Sequence, residues 1–254
     1  MITSTSSSQV KHVVNLQKKA KLRKEEKQFV VEGVKMVSEA PADRLVKVYV
    51  SETFKADNEE FLERMNYDSI GKDVLEIVTD NVFMRMADTQ TPQGIMAVVR
   101  MSDTDLEGIL SDKRNPLLLI IENLQDPGNL GTIVRMAEGA GVTGIIMSSN
   151  TVDIYNPKTI RSTMGSLYRV PVIYVDDICE AADVCKSKGV TVYAAHLNGT
   201  DNYNKKDYTN PTAFMIGNEG NGLTDKLADK ADEYVRIPMP VSYTHLTLPT
   251  NREV

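Results

Sequence analysis

Apolar positions recur along the chain with two periods, and the period changes where the elements change. "FVVEG" (Phe29 to Gly33), "LVKVYV" (Leu45 to Val50) and "GIMAVVR" (Gly94 to Arg100) have the short runs or alternation of strands. Between them the spacing is helical. Ser8 to about Gln28 reads as one basic amphipathic helix with Val10, Val13, Val14, Leu16, Ala20 and Leu22 on a loose apolar face. "VKMVSEAP" is a helix stopped by Pro41, Asp57 to Asn66 is helical, and "DNVFMRMAD" follows a cap at Thr79 or Asp80. These elements make a small alternating α/β unit ending near residue 100. Residues 102 to 115 are polar around one short apolar patch and read as a connecting helix. From Pro116 the alternation restarts, with strands at Leu117–Glu122, Gly144–Met147, Val170–Val175, Val190–Ala195 and Ala213–Gly217. Regular strand–helix alternation predicts a parallel sheet covered on both faces. The division expected is 1–102, a linker at 103–115, 116–239, and an atypical tail at 240–254.

Composition narrows this little. Apolar residues are 41% and charged residues 25% of 254, ordinary for a globular chain. No apolar run approaches the roughly 18 residues of a membrane span. The N-terminus has no apolar signal core, so the expectation is a cytoplasmic protein off the membrane. Cys179, Cys185 and the three histidines form no ligand cluster, so no metal is expected. Net charge is −6, but residues 1–28 carry +5 and the remainder −11. Clustered lysines there, with Lys18, Lys19 and Arg23 at the centre, are either a solvated helix face or a phosphate-contacting patch.

Candidate chemistry lies in three stretches after Pro116: "IENLQDPGNLGTIVR" (Ile121 to Arg135), "NPKTIRSTMGSLYRVPV" (Asn156 to Val172), and "FMIGNEGNGLTDKL" (Phe214 to Leu227) with "VRIPMP" (Val235 to Pro240). None meets a dinucleotide or P-loop fingerprint. All follow strand-like runs or their loops, and a parallel sheet gathers strand carboxyl ends on the edge where ligands bind.

In this order the three resemble the SpoU (TrmH) family of RNA ribose 2′-O-methyltransferases, of the SPOUT class. Asn129 and Arg135 match that family's Asn–Arg signature. "RSTMGS" is similar to its second motif, with Arg161, Thr163 and Gly165. "GNEGNGLT" and "IPM" are similar to its third. "KKAKLRKEEKQFVVEG" resembles the opening of an L30e-like substrate-binding domain. The resemblance implies S-adenosyl-L-methionine as methyl donor, RNA as substrate (rRNA more than tRNA), a trefoil knot and a homodimer. It implies catalytic roles for Arg135 and Asn129. RNA contacts are implied for Arg161, Thr163, Lys18, Lys19 and Arg23. Cofactor contacts are implied for Gly217, Asn218, Glu219, Gly220, Ile237 and Met239. Alternatives stay open at individual residues: Arg135 as a plain surface residue; Glu219 as an acid that fixes the loop through backbone N–H groups, faces the substrate or simply suits a helix start; and Arg161 as a phosphate contact or a bridge across the dimer. After "IPMP" the family pattern expects a Ser-Leu-Asn element and a long helix that threads the knot. "VSYTHLTLPTNREV" has neither, so a foreign tail and weak cofactor binding are expected. A non-catalytic RNA-binding protein on the same scaffold is the competing reading.

Overall fold

Alternating burial in the first strands decides how the N-terminal sheet is covered. The computed structural model describes residues 1–66, 74–111, 115–196, 199 and 201–238. Strands β1 (Gln28–Glu32), β2 (Leu45–Ser51), β3 (Leu75–Val78) and β4 (Ile95–Arg100) form a sheet in the order β1-β4-β2-β3. Pairs β1–β4 and β2–β4 are antiparallel, and β2–β3 is parallel. Phe29 and Val31 point to one face with Val48, Val50, Ile95, Ala97 and Val99, while Val30, Tyr49, Met96 and Val98 point to the other. The second face is covered by α1 (Ser8–Lys18), through Val10, Val13 and Leu16, and by α6 (Asp80–Met86), through Val82, Phe83 and Met86. Between them in sequence are α2 (Ala20–Glu26), α3 (Val34–Ser38), α4 (Glu52–Asp57) and α5 (Glu59–Met65).

The chain falls into two compact units that are not consecutive in sequence. The first is Met1–Asp103 together with Asp153–Arg169; the second is Thr104–Val152 with Val170 onward. The inserted piece holds the helix Pro157–Thr163 and a 3-10 turn at Ser166–Tyr168. Its Ile160 and Leu167 join the core on the Phe29 face, and the Tyr155 ring lies 4.6 Å from that of Phe29. Arg161 pairs with Asp88 at 2.6 Å and Arg169 with Glu39 at 2.7 Å. The Tyr168 hydroxyl donates to the Met36 carbonyl at 2.9 Å, and burial drives its phenol pKa well up.

The second unit is an all-parallel sheet of β5 (Leu117–Ile121), β6 (Gly144–Ser148), β7 (Val172–Val175), β8 (Thr191–Ala195), β9 (Asp201–Asn202), β10 (Thr212–Ile216) and β11 (Glu233–Arg236). Its order is β7-β6-β5-β10-β8-β11-β9. The chain winds outward from β5 through β6 to β7, then crosses to the other side. β5 and β10 are therefore neighbours at the switch point, in register at Ile121 and Ile216. Helices here are α7 (Leu106–Leu110), α8 (Pro127–Gly139), α10 (Ile178–Ser187) and α11 (Asp225–Ala228); the helix at Pro157–Thr163 is α9.

Several sequence expectations need correction. The single N-terminal helix is two, bent at Lys19, whose backbone is extended (φ −115°, ψ 101°). The bend lets the Arg23 guanidinium reach the orphan carbonyls of Leu16 and Gln17 at the end of α1. The Asp57–Asn66 helix is broken at Asn58. Of the connecting helix, Leu106–Leu110 is the part that forms among the described residues, capped by Asp105. β3, β9 and β11 are additional: short strands interrupted by polar residues show neither an apolar run nor a period. The cap before α6 is Thr79, without a side-chain bond, and the Asp80 carboxylate accepts from the Thr53 hydroxyl. Met239, the tail from Pro240 and the knot that the tail was expected to thread lie outside the described residues.

Candidate active site

The loops that leave β5 and β10 are built to hold each other. "DPGN" starts α8 by local chemistry: Asp126 is the N-cap, its carboxylate accepting from the Asn129 N–H at 2.7 Å, and Pro127 sits at the first helical position. Asn123 takes a positive φ of 54° and exchanges hydrogen bonds with Ser148, donating its N–H to Oγ at 2.9 Å and accepting from it at 3.2 Å. Gln125 donates to the carbonyls of Asn123 and Asn150.

The β10 loop is a closed turn. Asn218 and Gly222 exchange backbone hydrogen bonds, both 2.9 Å, and the Asn218 Oδ1 accepts from the N–H groups of Gly220 and Asn221. Gly217 must be glycine, since a Cβ there would lie 2.0 Å from the Gly222 carbonyl carbon. Asn218 ties the turn to the first loop, donating to the Asn123 carbonyl at 2.8 Å.

Glu219 completes the tie. Its carboxylate accepts from the N–H of Asp126 (3.0 Å), the N–H of Gln125 (3.2 Å) and the Asn129 side-chain amide (3.3 Å). Burial pushes this carboxyl up, but the hydrogen bonds from Asp126, Glu219 itself, Gln125 and Asn129 outweigh it and hold the pKa below the ordinary value. Of the readings open from sequence, the loop-fixing acid is the one the geometry displays. The Glu219 carboxylate is occupied by the first loop, so its expected cofactor contact is left to the backbone.

Arg135 lies two turns into α8, exposed, with no ion pair among the described residues. Asn129, also exposed, is held by Glu219 and makes no hydrogen bond to Arg135. Ile237 follows β11 and is 45% exposed. Gly217, Asn218, Glu219, Gly220 and Asn129 thus meet where the loops after β5 and β10 interlock, and Arg135 stands further along the helix that leaves the first loop.

Of the expected RNA contacts, two are buried in the fold and a third is engaged in a surface ion pair. Arg23 is 3% exposed and its guanidinium is taken by Asp153 and the two α1 carbonyls, so no phosphate can reach it here. Thr163 is fully buried and donates to the Ile160 carbonyl. Arg161 is part-exposed but paired with Asp88. Lys18 and Lys19 are exposed and without an ion pair among the described residues. Glu122 and Asp153 went unnoticed in the sequence. Asp153 carried no signal, being 130 residues from the arginine it binds. No group of metal-ligating side chains occurs, and no helix is long and apolar enough to cross a membrane, among the described residues.

Known proteins are similar to this chain in sequence and fold. A 23S rRNA (guanosine(2553)-2′-O)-methyltransferase of Bacillus subtilis is 32% identical over 169 residues, 64% of this chain. The chain spans 63% of that relative's length. An uncharacterized tRNA/rRNA methyltransferase of Synechocystis is 30% identical over 246 residues, 93% of this chain and 85% of its own. The solved structure of an AdoMet-bound rRNA methyltransferase from Sinorhizobium meliloti superposes with a TM-score of 0.82 at 27% identity, covering 97% of this chain and 92% of that one. The MRM3-like substrate binding domain matches residues 7–97, and the SpoU rRNA Methylase family matches residues 116–248, running into the stretch after Pro240 that the sequence set apart. The chain belongs to the SpoU rRNA methylase family.

Proposed function

We propose that the chain transfers a methyl group from S-adenosyl-L-methionine to a ribose 2′-hydroxyl of RNA, with 23S rRNA the foremost substrate. One observation carries this reading: Arg135, exposed and without an ion pair among the described residues, stands on α8, whose first turn is fastened by Glu219 to the glycine turn at the switch point. The names of the relatives supply the substrate and the cofactor class.

The residues present suit that cofactor. The turn from Gly217 to Gly222 exposes backbone without bulky side chains, and Ile237 offers an apolar surface beyond β11. Gly217, Asn218, Gly220 and Ile237 would hold it, with Met239 the next contact in sequence. Bound S-adenosyl-L-methionine supplies an electrophilic methyl carbon. The chain's own residues do the rest. A guanidinium is protonated at neutral pH, so Arg135 acts as a donor rather than a base. It grips the neighbouring RNA phosphate through two N–H groups and stabilises negative charge growing on O2′. Its exposure lets solvent accept the O2′ proton. Asn129 keeps the first turn of α8 registered on Glu219. Holding the hydroxyl in line removes several kcal/mol of the barrier, of order ~7 in well-oriented systems. Lys18 and Lys19 add phosphate contacts from the 1–102 region, the substrate-gripping part of a cytoplasmic homodimer.

The test is methyl transfer from radiolabelled donor to rRNA. Arg135→Ala should slow single-turnover transfer by about 10²–10³-fold, with cofactor affinity unchanged. Transfer at the parent rate would remove Arg135 from the reaction. RNA binding by the parent without transfer would favour the non-catalytic reading.

A further inference from the structure

Glu122 is a buried carboxylate that no step of this transfer uses. It follows β5 directly and is 6% exposed. Both its oxygens are given to one residue 102 positions away: Oε2 accepts from the Thr224 N–H at 2.7 Å and Oε1 from the Thr224 hydroxyl at 2.8 Å. Thr224 is the N-cap of α11, where its hydroxyl also accepts from the Leu227 N–H at 3.3 Å. It stands just past the glycine turn. At the near end of that turn, Asn218 is fixed to the Asn123 carbonyl, and the Glu122 N–H donates to the Ile216 carbonyl at 2.9 Å. Residues 122 and 123 therefore grip the turn at its entry and at its exit. Glu219 crosses in the opposite direction, from the turn to the first loop. Each loop lends the other one carboxylate.

We infer that Glu122 is a positioning residue for the cofactor turn: acting only through Thr224, it fixes the level of the 217–223 backbone. This rests on the function proposed above. A carboxylate suits the task because both oxygens accept, so it takes an N–H and an O–H from the same residue. An amide of equal size offers one acceptor and a misplaced donor. An imperfectly met buried acceptor costs enough to move affinity by about tenfold.

Glu122→Gln should raise the KM and Kd for S-adenosyl-L-methionine about tenfold, leaving the KM for RNA unchanged. Thr224→Val, which loses the hydroxyl but keeps the N–H, should behave alike; Thr224→Ser should match the parent. The double variant Glu122→Gln/Thr224→Val should be no worse than either single one, since both break the same contact. Equal weakening toward both substrates, or an unchanged cofactor Kd, would overturn the inference. Should Glu122→Gln fold poorly, the Thr224 pair carries the same comparison. Amide exchange at Gly220 and Asn221 reads the grip independently of catalysis. It should quicken in Glu122→Gln, and unchanged exchange would refute the grip even if the parent transfers no methyl. A parent that neither binds cofactor nor transfers methyl, with the exchange effect present, would instead remove the methyltransferase reading.

Discussion

Arg23 and Arg135 show how one residue type divides between fold and chemistry. The Arg23 guanidinium makes four hydrogen bonds, two to one Asp153 oxygen and two to backbone carbonyls, at 3% exposure. Removing it strands Asp153 and two carbonyls, so Arg23→Ala should cost about 3 kcal/mol, read as a lower urea midpoint of the full chain. Arg135→Ala should shift that midpoint by less than about 0.5 kcal/mol, because its exposed side chain makes no ion pair among the described residues. Lys18 and Lys19 provide the matching contrast in binding. Replacing both with Ala should reduce the slope of log affinity against log salt for RNA by about two, roughly one per phosphate contact. In the sequence, Lys18, Lys19 and Arg23 are equivalent members of a basic run. What separates them is the bend at Lys19 and an aspartate far along the chain, neither of which local spacing encodes. Thr163 was misread for the same reason: its motif gives the residue type, not the fact that its hydroxyl is spent on Ile160.

At the scale of elements, the two loops at the switch point behave as one. Gly217→Ala would force a methyl group to within 2.0 Å of backbone, which no side-chain rearrangement can relieve. The variant should lose cofactor binding in calorimetric titration and melt at lower temperature. Glu219 makes this junction sensitive to acid. Its folded pKa lies below the ordinary 4.5, so its stabilising contribution is complete above that value and vanishes as pH falls through the folded one. The melting-temperature gap between the parent and Glu219→Gln should therefore be flat from about pH 6 to 8 and close below about pH 4.5. Much of this element scale was legible. Apolar runs revealed β5, β6, β7, β8 and β10. β3 and β11 were not legible, because four residues with half-buried polar members carry no periodic signal. The carboxylate exchange between loops was invisible too, since it links positions about a hundred residues apart.

Across the whole molecule, order in sequence and membership in a unit part company. The segment Asp153–Arg169 leaves the parallel sheet after β6, joins the core around Phe29, and returns to form β7. The sequence alone places this stretch in the second half because it follows β6, and the family resemblance gives its Arg161 to RNA. Burial of Ile160 and Leu167 and the pairing of Arg161 and Arg169 give it to the first unit instead. Phe29→Ala, in β1, should then raise amide exchange in residues 155–168 as well as in β1. Exchange unchanged in 155–168 would mean that the segment holds its place without that core. Synthesis adds a delay to this arrangement. The first 103 residues emerge with one sheet face still lacking part of its cover, and the missing piece appears 66 residues later. At roughly 5–20 residues per second, the ribosome leaves that face open for about 3–13 s, an interval a trigger-type chaperone could occupy.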